Sequence, residues 1–527
     1  MARARSSARR ATGQGRLSDS PLWTEQRRFF VDHGVSAWAT GAVPHYITNN
    51  PRLAGSYAEL VTAWMAVAGP RVVYLVELGS GSGRFAYHFL RQFLPLHRER
   101  GGRRVRFTYV LTDFAEPILD FWLSHPAFTE FFAEGHLDVA RFDAESPEAL
   151  DLRVSGAVVG ERSPGTQFVV AANYLFDSIR QDAFTVSGGV LHELVAPLAE
   201  RPRDSGPALN VLDGVDTGLS TGDPVRFPYY GDEELDGVLA ACGSSTVDGH
   251  RFLFPVAAAR CLQYFRSLTD RDLLVLAADR GSAGALDDPD AGEDVGFSSH
   301  GSFSLRVNFG VLAAMTRHAG GEALVSDAWA PRLVIAALLF GRSAAAAAAF
   351  RQAFTGTIVT SNPLDFYRLA LPLRKGDVAL PLDAMLSAIR LSGYDPRFIA
   401  DLFDRLMDAA GTASTEDRAD LAVVARRVWE MYFDIGEDVD LAFQLGALLL
   451  EAAHPQAALW FLDESERRHG PDPATSCNRA LCHYHLGDRP QAIDVLRTVL
   501  DHDPSNLEAT LLLAGVTAEL AEATTCP

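Results

Sequence analysis

Lysine is nearly missing from this 527-residue chain: of 47 basic residues only Lys375 is a lysine, and the excess of acids gives a formal net charge of −20. So acidic a surface repels phosphate backbones unless a local basic patch overrides it, so nucleic acid is not an expected partner. The four arginines within Arg100–Arg106 fall where a helix-to-strand loop is expected and read as a solvated turn. Long apolar runs are missing too. No stretch reaches the roughly 18 to 20 residues of a bilayer crossing, so no membrane contact is expected. The most apolar candidate, Leu333–Phe340 followed by Ala344–Ala349, is interrupted by Gly341-Arg342-Ser343 and reads as a buried helix. Cysteine is scarce: Cys242, Cys261, Cys477, Cys482 and Cys526 form no C-x-x-C pair and have no histidine cluster at zinc spacing. No metal site is therefore expected, and the thiols fit a reducing cytoplasm. Residues 1–21 lack the apolar core of a secretory signal and read as a disordered basic tail.

What is present is enough chain for several domains. From Trp23 to about Gly320, short β-branched runs alternate with longer amphipathic stretches, the pattern of β-α units feeding a parallel sheet. Expected strands are 72–76, 106–111, 137–142, 167–171 and 273–277, enough for a doubly wound α/β domain over residues 22–330. Segments 202–222 and 281–301, rich in Gly, Asp and Ser, read as exposed insertions. Beyond residue 330 helical spacing takes over, giving a helical region over 331–435 and helical repeats over 436–527. Ala458 and Ala492 lie 34 residues apart, and Gly446, Ala480 and Ala514 follow the same step. That is the tetratricopeptide period.

The chemistry concentrates at strand ends. Glu77-Leu78-Gly79-Ser80-Gly81-Ser82-Gly83 joins a strand to a helix at Phe85–Phe93, an arrangement that lets backbone approach a ligand closely. An acid precedes a G-x-G-x-G loop here, and Glu77 suits the cationic end of a ligand better than a phosphate. Asp113 closes the second strand and Asp143-Ala144 the third. Asn173-Tyr174-Leu175-Phe176-Asp177 follows the fourth strand. His192 and Glu193 fall in an expected edge hairpin, 183–195, that turns at Gly188-Gly189.

The glycine loop resembles motif I of class I methyltransferases. Together with Tyr46-Ile47-Thr48, Pro51, Asn173-x-x-Phe176-Asp177, Asp279-Arg280-Gly281 and the run from His300 to Phe309, the chain resembles the MidA-like family from about Trp23 to Val325. The resemblance implies a Rossmann-like fold and S-adenosyl-L-methionine as cofactor, held by Glu77, Gly79, Gly81, Gly83, Asp113, Asp143, Ala144 and Asn173, with Asp113 accepting hydrogen bonds from both ribose hydroxyls and Asp143-Ala144 facing the adenine amino group. It also implies methyl transfer, with Asp177, Asn173 and Glu193 as catalytic candidates. Mitochondrial members of the family methylate an arginine of a respiratory complex I subunit. This chain carries Tyr174 and Asn308 where the family carries acids, and Arg280 in place of an aromatic residue. Two carboxylates that a guanidinium acceptor would pair with are thereby gone. The acceptor stays open between a protein side chain, recognised with help from the repeats, and a small molecule; a cofactor-binding scaffold without turnover is a third reading.

Overall fold

Apolar, β-branched segments set the centre of the structure, a computed structural model that describes residues 13–99, 105–197, 218–282, 298–300, 302–326, 333–341, 344–375 and 380–525. The five expected strands form as β1 (Val72–Leu78), β2 (Arg106–Asp113), β3 (Leu137–Arg141), β4 (Thr166–Asn173) and β5 (Leu273–Ser282), paired in parallel. Beyond β5 lie β6 (Glu322–Val325) and β7 (Leu333–Phe340), with β7 antiparallel to both of its neighbours. The order across the sheet is β6-β7-β5-β4-β1-β2-β3. The chain therefore winds outward from β1 to β3, then restarts on the other side at β4. Such a reversal opens a crevice at the carboxyl ends of the two strands that flank it, here β1 and β4.

Three helices bear on that crevice: α1 (Leu22–His33), α2 (Pro51–Ala68) and α3 (Arg84–Glu99). Asn50 starts α2 by accepting the Leu53 N–H at 2.9 Å, with Pro51 at the first helical position, where its missing N–H costs nothing. Gln26 of α1 is buried and exchanges two hydrogen bonds with the backbone of Phe303, at 2.6 and 2.9 Å. This double contact fixes α1 to the segment that follows β5.

Three expectations are corrected. Leu333–Phe340 is a strand rather than a helix. Lying between β5 and β6 and buried throughout, it needs no polar face, so its sequence is a continuous apolar run without alternation. The sheet accordingly extends past residue 330, and the chain divides into compact units at 1–363 and 364–527. The basic tail is ordered from residue 13. Gln14–Arg16 pairs with Val195–Pro197, and buried Leu17 accepts the Trp23 indole N–H at 2.8 Å. Residues 1–12, most of both expected insertions, Cys526 and most of the Arg100–Arg106 turn lie outside the described residues.

The hairpin Asp182–Ser187/Val190–Pro197 turns at Gly188-Gly189 as expected, both at positive φ. It does not edge the main sheet. It forms a separate antiparallel sheet with Gln14–Arg16, Ser220–Pro224 and Arg251–Phe254.

The unit 364–527 is helical. Its last helices, Leu441–Glu451, Pro455–His469, Pro473–His485, Arg489–His502 and Leu507–Thr525, are joined by short turns, and consecutive ones pack together. Ala458 and Leu462 are buried, as are Ala492 and Leu496 at the 34-residue step. Gly446 and Ala480 are buried as well, whereas Ala514 is exposed. At Gly446 the fit is close: a Cβ would lie 2.7 Å from Leu462 Cγ.

Candidate functional site

The loop after β1 is held by its neighbour strand before any ligand is considered. Thr112 Oγ1 donates to the Glu77 carbonyl at 2.6 Å, and the Ser80 N–H donates to the Thr112 carbonyl at 2.8 Å. The Trp122 indole N–H closes on the Gly81 carbonyl at 3.0 Å. Gly79 and Gly81 have φ of +60° and +52°, backbone that L side chains rarely adopt. A Cβ on Gly81 would also lie 2.8 Å from Trp38 Cζ2, and one on Gly79 2.9 Å from Leu175 Cδ1. Backbone conformation and crowding both require glycine here.

Two adjoining cavities open over this loop, sharing Phe30, Trp38, Gly79, Tyr174 and Ser178 in their walls. One is lined by Glu77, Gly81, Asn173, Asp177 and Arg280. The other is lined by Asp113, Asp143, Ala144, Phe114 and Arg27. All the cofactor-loop positions singled out from sequence lie on these walls except Gly83, which packs beneath: a Cβ there would meet Trp122 at 2.9 Å.

The electrostatics follow from burial. Glu77 is buried, and its Oε2 has no hydrogen-bond partner. Burial pushes its carboxyl up to about 8, against the opposing pull of the Tyr109 and Ser80 hydroxyls nearby. Asn173 Oδ1 accepts the Tyr57 hydroxyl at 3.1 Å, but its Nδ2 is buried without a partner. Asp113 Oδ1 accepts the Ala115 N–H at 3.1 Å; burial raises this carboxyl to about 6, held back by backbone N–H donors and by Arg27. Asp143 is engaged on both oxygens by Arg27, at 3.0 and 2.8 Å.

No protein-family model and no curated protein matches this chain. Among solved structures it is similar to an uncharacterized COG1565 superfamily protein from Burkholderia thailandensis, at 17% identity over 61% of this chain and 76% of that one, with a TM-score of 0.38. It is also similar to a COG1565 superfamily member from the same organism, bound to S-adenosyl-homocysteine and described as a candidate methyl transferase. That match has 15% identity over 62% of this chain and 77% of the other, with a TM-score of 0.38.

The segment after β4 carries the remaining candidates. Tyr174 sits at φ +51°, a conformation that costs a non-glycine residue about 1–2 kcal/mol and therefore needs support from its surroundings. Support comes from β5: Ala278 accepts the Tyr174 N–H at 2.9 Å, and Asp279 Oδ2 accepts those of Leu175 at 3.3 Å and Phe176 at 2.9 Å. Asp279 lies behind Asp177, and the two buried carboxyls face each other. Asp177 is raised to about 6 by burial, with Ser178, whose hydroxyl donates to Oδ1 at 2.7 Å, and Arg280 opposing. Asp279 is raised further, by burial and by the Asp177 charge.

Two sequence readings are corrected here. Glu193 lines neither cavity; it is buried in the second sheet, where it accepts the Tyr229 hydroxyl at 2.8 Å and faces Arg16 at 3.8 Å. An alternating hairpin sequence gives no sign of which face meets which neighbour. Asn308 is also absent from both cavity walls. Its side chain accepts the Val311 N–H at 3.2 Å and caps helix Phe309–His318, a task asparagine and aspartate perform alike. Asparagine at 308 therefore keeps the cap that an aspartate would make. Sequence reasoning passed over Arg27, Phe30 and Trp38, which come from the N-terminal helices, and Asp279 as a support for the 174–177 loop.

Proposed function

We propose that this chain is an S-adenosylmethionine-dependent methyltransferase of MidA-like type. One observation carries the reading: the cavity over the glycine loop holds a buried Glu77 oxygen and a buried Asn173 amide nitrogen with no partners. Buried polar groups are normally satisfied, so such orphans mark where a polar ligand completes the network. Asn49 Oδ1 on the same wall is a further unpartnered acceptor. A ligand carrying an ammonium next to a carboxylate suits acceptors of this kind beside the Asn173 donor, and the amino-acid end of S-adenosylmethionine has this pair. Asp113 then accepts the ribose hydroxyls, and Asp143-Ala144 borders the adenine.

When bound, the cofactor supplies a methyl group on a sulfonium leaving group, so the protein's work is positioning and exclusion of water. Trp38 and Phe30 cover the loop. Asp177 orients the acceptor and takes its proton where the acceptor is protonated; a carboxyl at about 6 is mostly ionised at pH 7.5. Asn173, fixed by Tyr57, holds the ligand beside it. The acceptor is a protein side chain, and the helical hairpins of the second unit, read as tetratricopeptide-like repeats, present the kind of surface that binds peptides. The four described cysteines are free and buried, which fits a cytoplasmic enzyme. Incubating the chain with methyl-tritiated cofactor and a proteome extract tests this: label in the protein fraction supports it, and label confined to small molecules transfers the same chemistry to a metabolite. No label in either fraction, with the cofactor bound, leaves a scaffold.

A further inference from the structure

The second of the two cavities has a cation, Arg27, in its wall. Arg27 projects from α1, and its guanidinium lies 4.2 Å from the Phe114 ring centroid. Nη1 and Nη2 donate to the two Asp143 oxygens at 3.0 and 2.8 Å, and Nη1 also reaches Glu145 Oε2 at 3.4 Å. Glu145 is in turn held by the Arg180 N–H at 2.8 Å and its Nε at 3.1 Å, while Arg180 Nη1 donates to the Ser18 carbonyl at 2.5 Å. The side chains of Arg27 and Asp143 are each about one-third exposed toward the cavity they line.

We infer that Arg27 is a positioning residue for cofactor recognition: its guanidinium fixes Asp143 so that Oδ2 accepts the exocyclic amino group of the adenine. This rests on the cofactor reading above. Phe114 on the guanidinium and the two-point fork to Asp143 together hold this pair in place, a geometry that a planar guanidinium makes specific. Each carboxylate oxygen of Asp143 accepts about two hydrogen bonds. Oδ1 receives Arg27 Nη1 and the Glu145 N–H, at 2.9 Å, and is filled; Oδ2 receives Arg27 Nη2 alone and keeps one site for an amino group. A purine bearing a carbonyl oxygen at that position meets a carboxylate acceptor with no proton between them. The arrangement thus selects adenine over hypoxanthine, with Arg27 holding the selecting group still.

Titration calorimetry with S-adenosylhomocysteine and its deaminated analogue S-inosylhomocysteine tests this. Arg27→Ala is expected to weaken S-adenosylhomocysteine about tenfold, the scale of a hydrogen bond to a charged group that is no longer held in place, and to lower the ratio between the two ligands severalfold. Arg27→Lys, which keeps the charge without the two-point fork, recovers less than half of the loss on a logarithmic scale. Should Arg27→Ala lower the melting temperature of the unliganded chain, Arg27→Gln is read in its place; the ligand ratio is independent of how much protein is folded. Unchanged or tighter binding with an unchanged ratio overturns the assignment and makes Arg27 a strut or a competitor for Asp143. If the wild-type chain fails to bind S-adenosylhomocysteine, the cofactor reading falls first and this assignment with it.

Discussion

Around the glycine loop, Glu77 is buried with its Oε2 unpartnered, and the buried carboxyls of Asp177 and Asp279 confront each other with Arg280 as the cation nearby. Across the shared wall of Phe30, Trp38 and Tyr174, Asp143 and Glu145 are matched by Arg27 and Arg180. A positive ligand group would suit the first half, since a carboxyl kept neutral by burial ionises when a cation is brought against it. The second half is already neutralised from within and suits an uncharged ring. An amino acid joined to a nucleoside has this same asymmetry.

The largest expected effect breaks the loop that joins the halves. Gly81→Arg forces a side chain onto a left-handed backbone and into Trp38, and is expected to weaken S-adenosylhomocysteine more than about a hundredfold, measured by calorimetry. Next comes the charge asymmetry itself. Wild-type affinity is expected to rise from pH 6.5 to 8.5, because Glu77, at about 8 in the free protein, must lose its proton to meet the ammonium. Calorimetry in buffers of different ionisation enthalpy then reports proton release near pH 7. Glu77→Gln flattens this dependence and costs roughly tenfold or more at pH 8.5. The same group acts on stability: its folded value lies above its unfolded value near 4.5, so the folded state holds more protons in between, and stability falls as pH rises from about 4.5 to 8. Thermal melts of Glu77→Gln should lose that slope.

Smaller effects sharpen the boundary. Asp113→Asn is expected to reduce affinity about tenfold through the ribose contact, with little change in the ligand's proton release. Asp177→Asn, on the acceptor side, should leave S-adenosylhomocysteine affinity within about twofold while suppressing methyl transfer to the labelled protein fraction.

Legibility from sequence followed how local each feature is. The five parallel strands, the glycine loop and the three acids at strand ends were readable because strand, turn and cap signals lie within a few residues of one another. Leu333–Phe340 was misread because a strand buried on both faces and a buried helix share the same apolar run, and only its pairing with β5 decides between them. Arg27, Phe30 and Trp38 were missed for a different reason. On an isolated amphipathic helix an arginine reads as a solvated face, and its partners Phe114 and Asp143 lie about a hundred residues away. Asp279 was visible only as part of a motif; its hold on the Leu175 and Phe176 amides depends on β4 and β5 being neighbours. Glu193 shows the converse, an acid in a plausible sequence position whose strand belongs to another sheet.

The proposed cofactor site is the crevice between β1 and β4, with the loop Glu77–Gly83 holding S-adenosylmethionine. Titrating S-adenosylhomocysteine into the wild-type chain and into Gly81→Arg at pH 8 decides for or against it. One-to-one binding with measurable heat, abolished in the variant while its melting transition persists, is the result expected. No heat from the wild-type chain, or the same isotherm from both proteins, would contradict it.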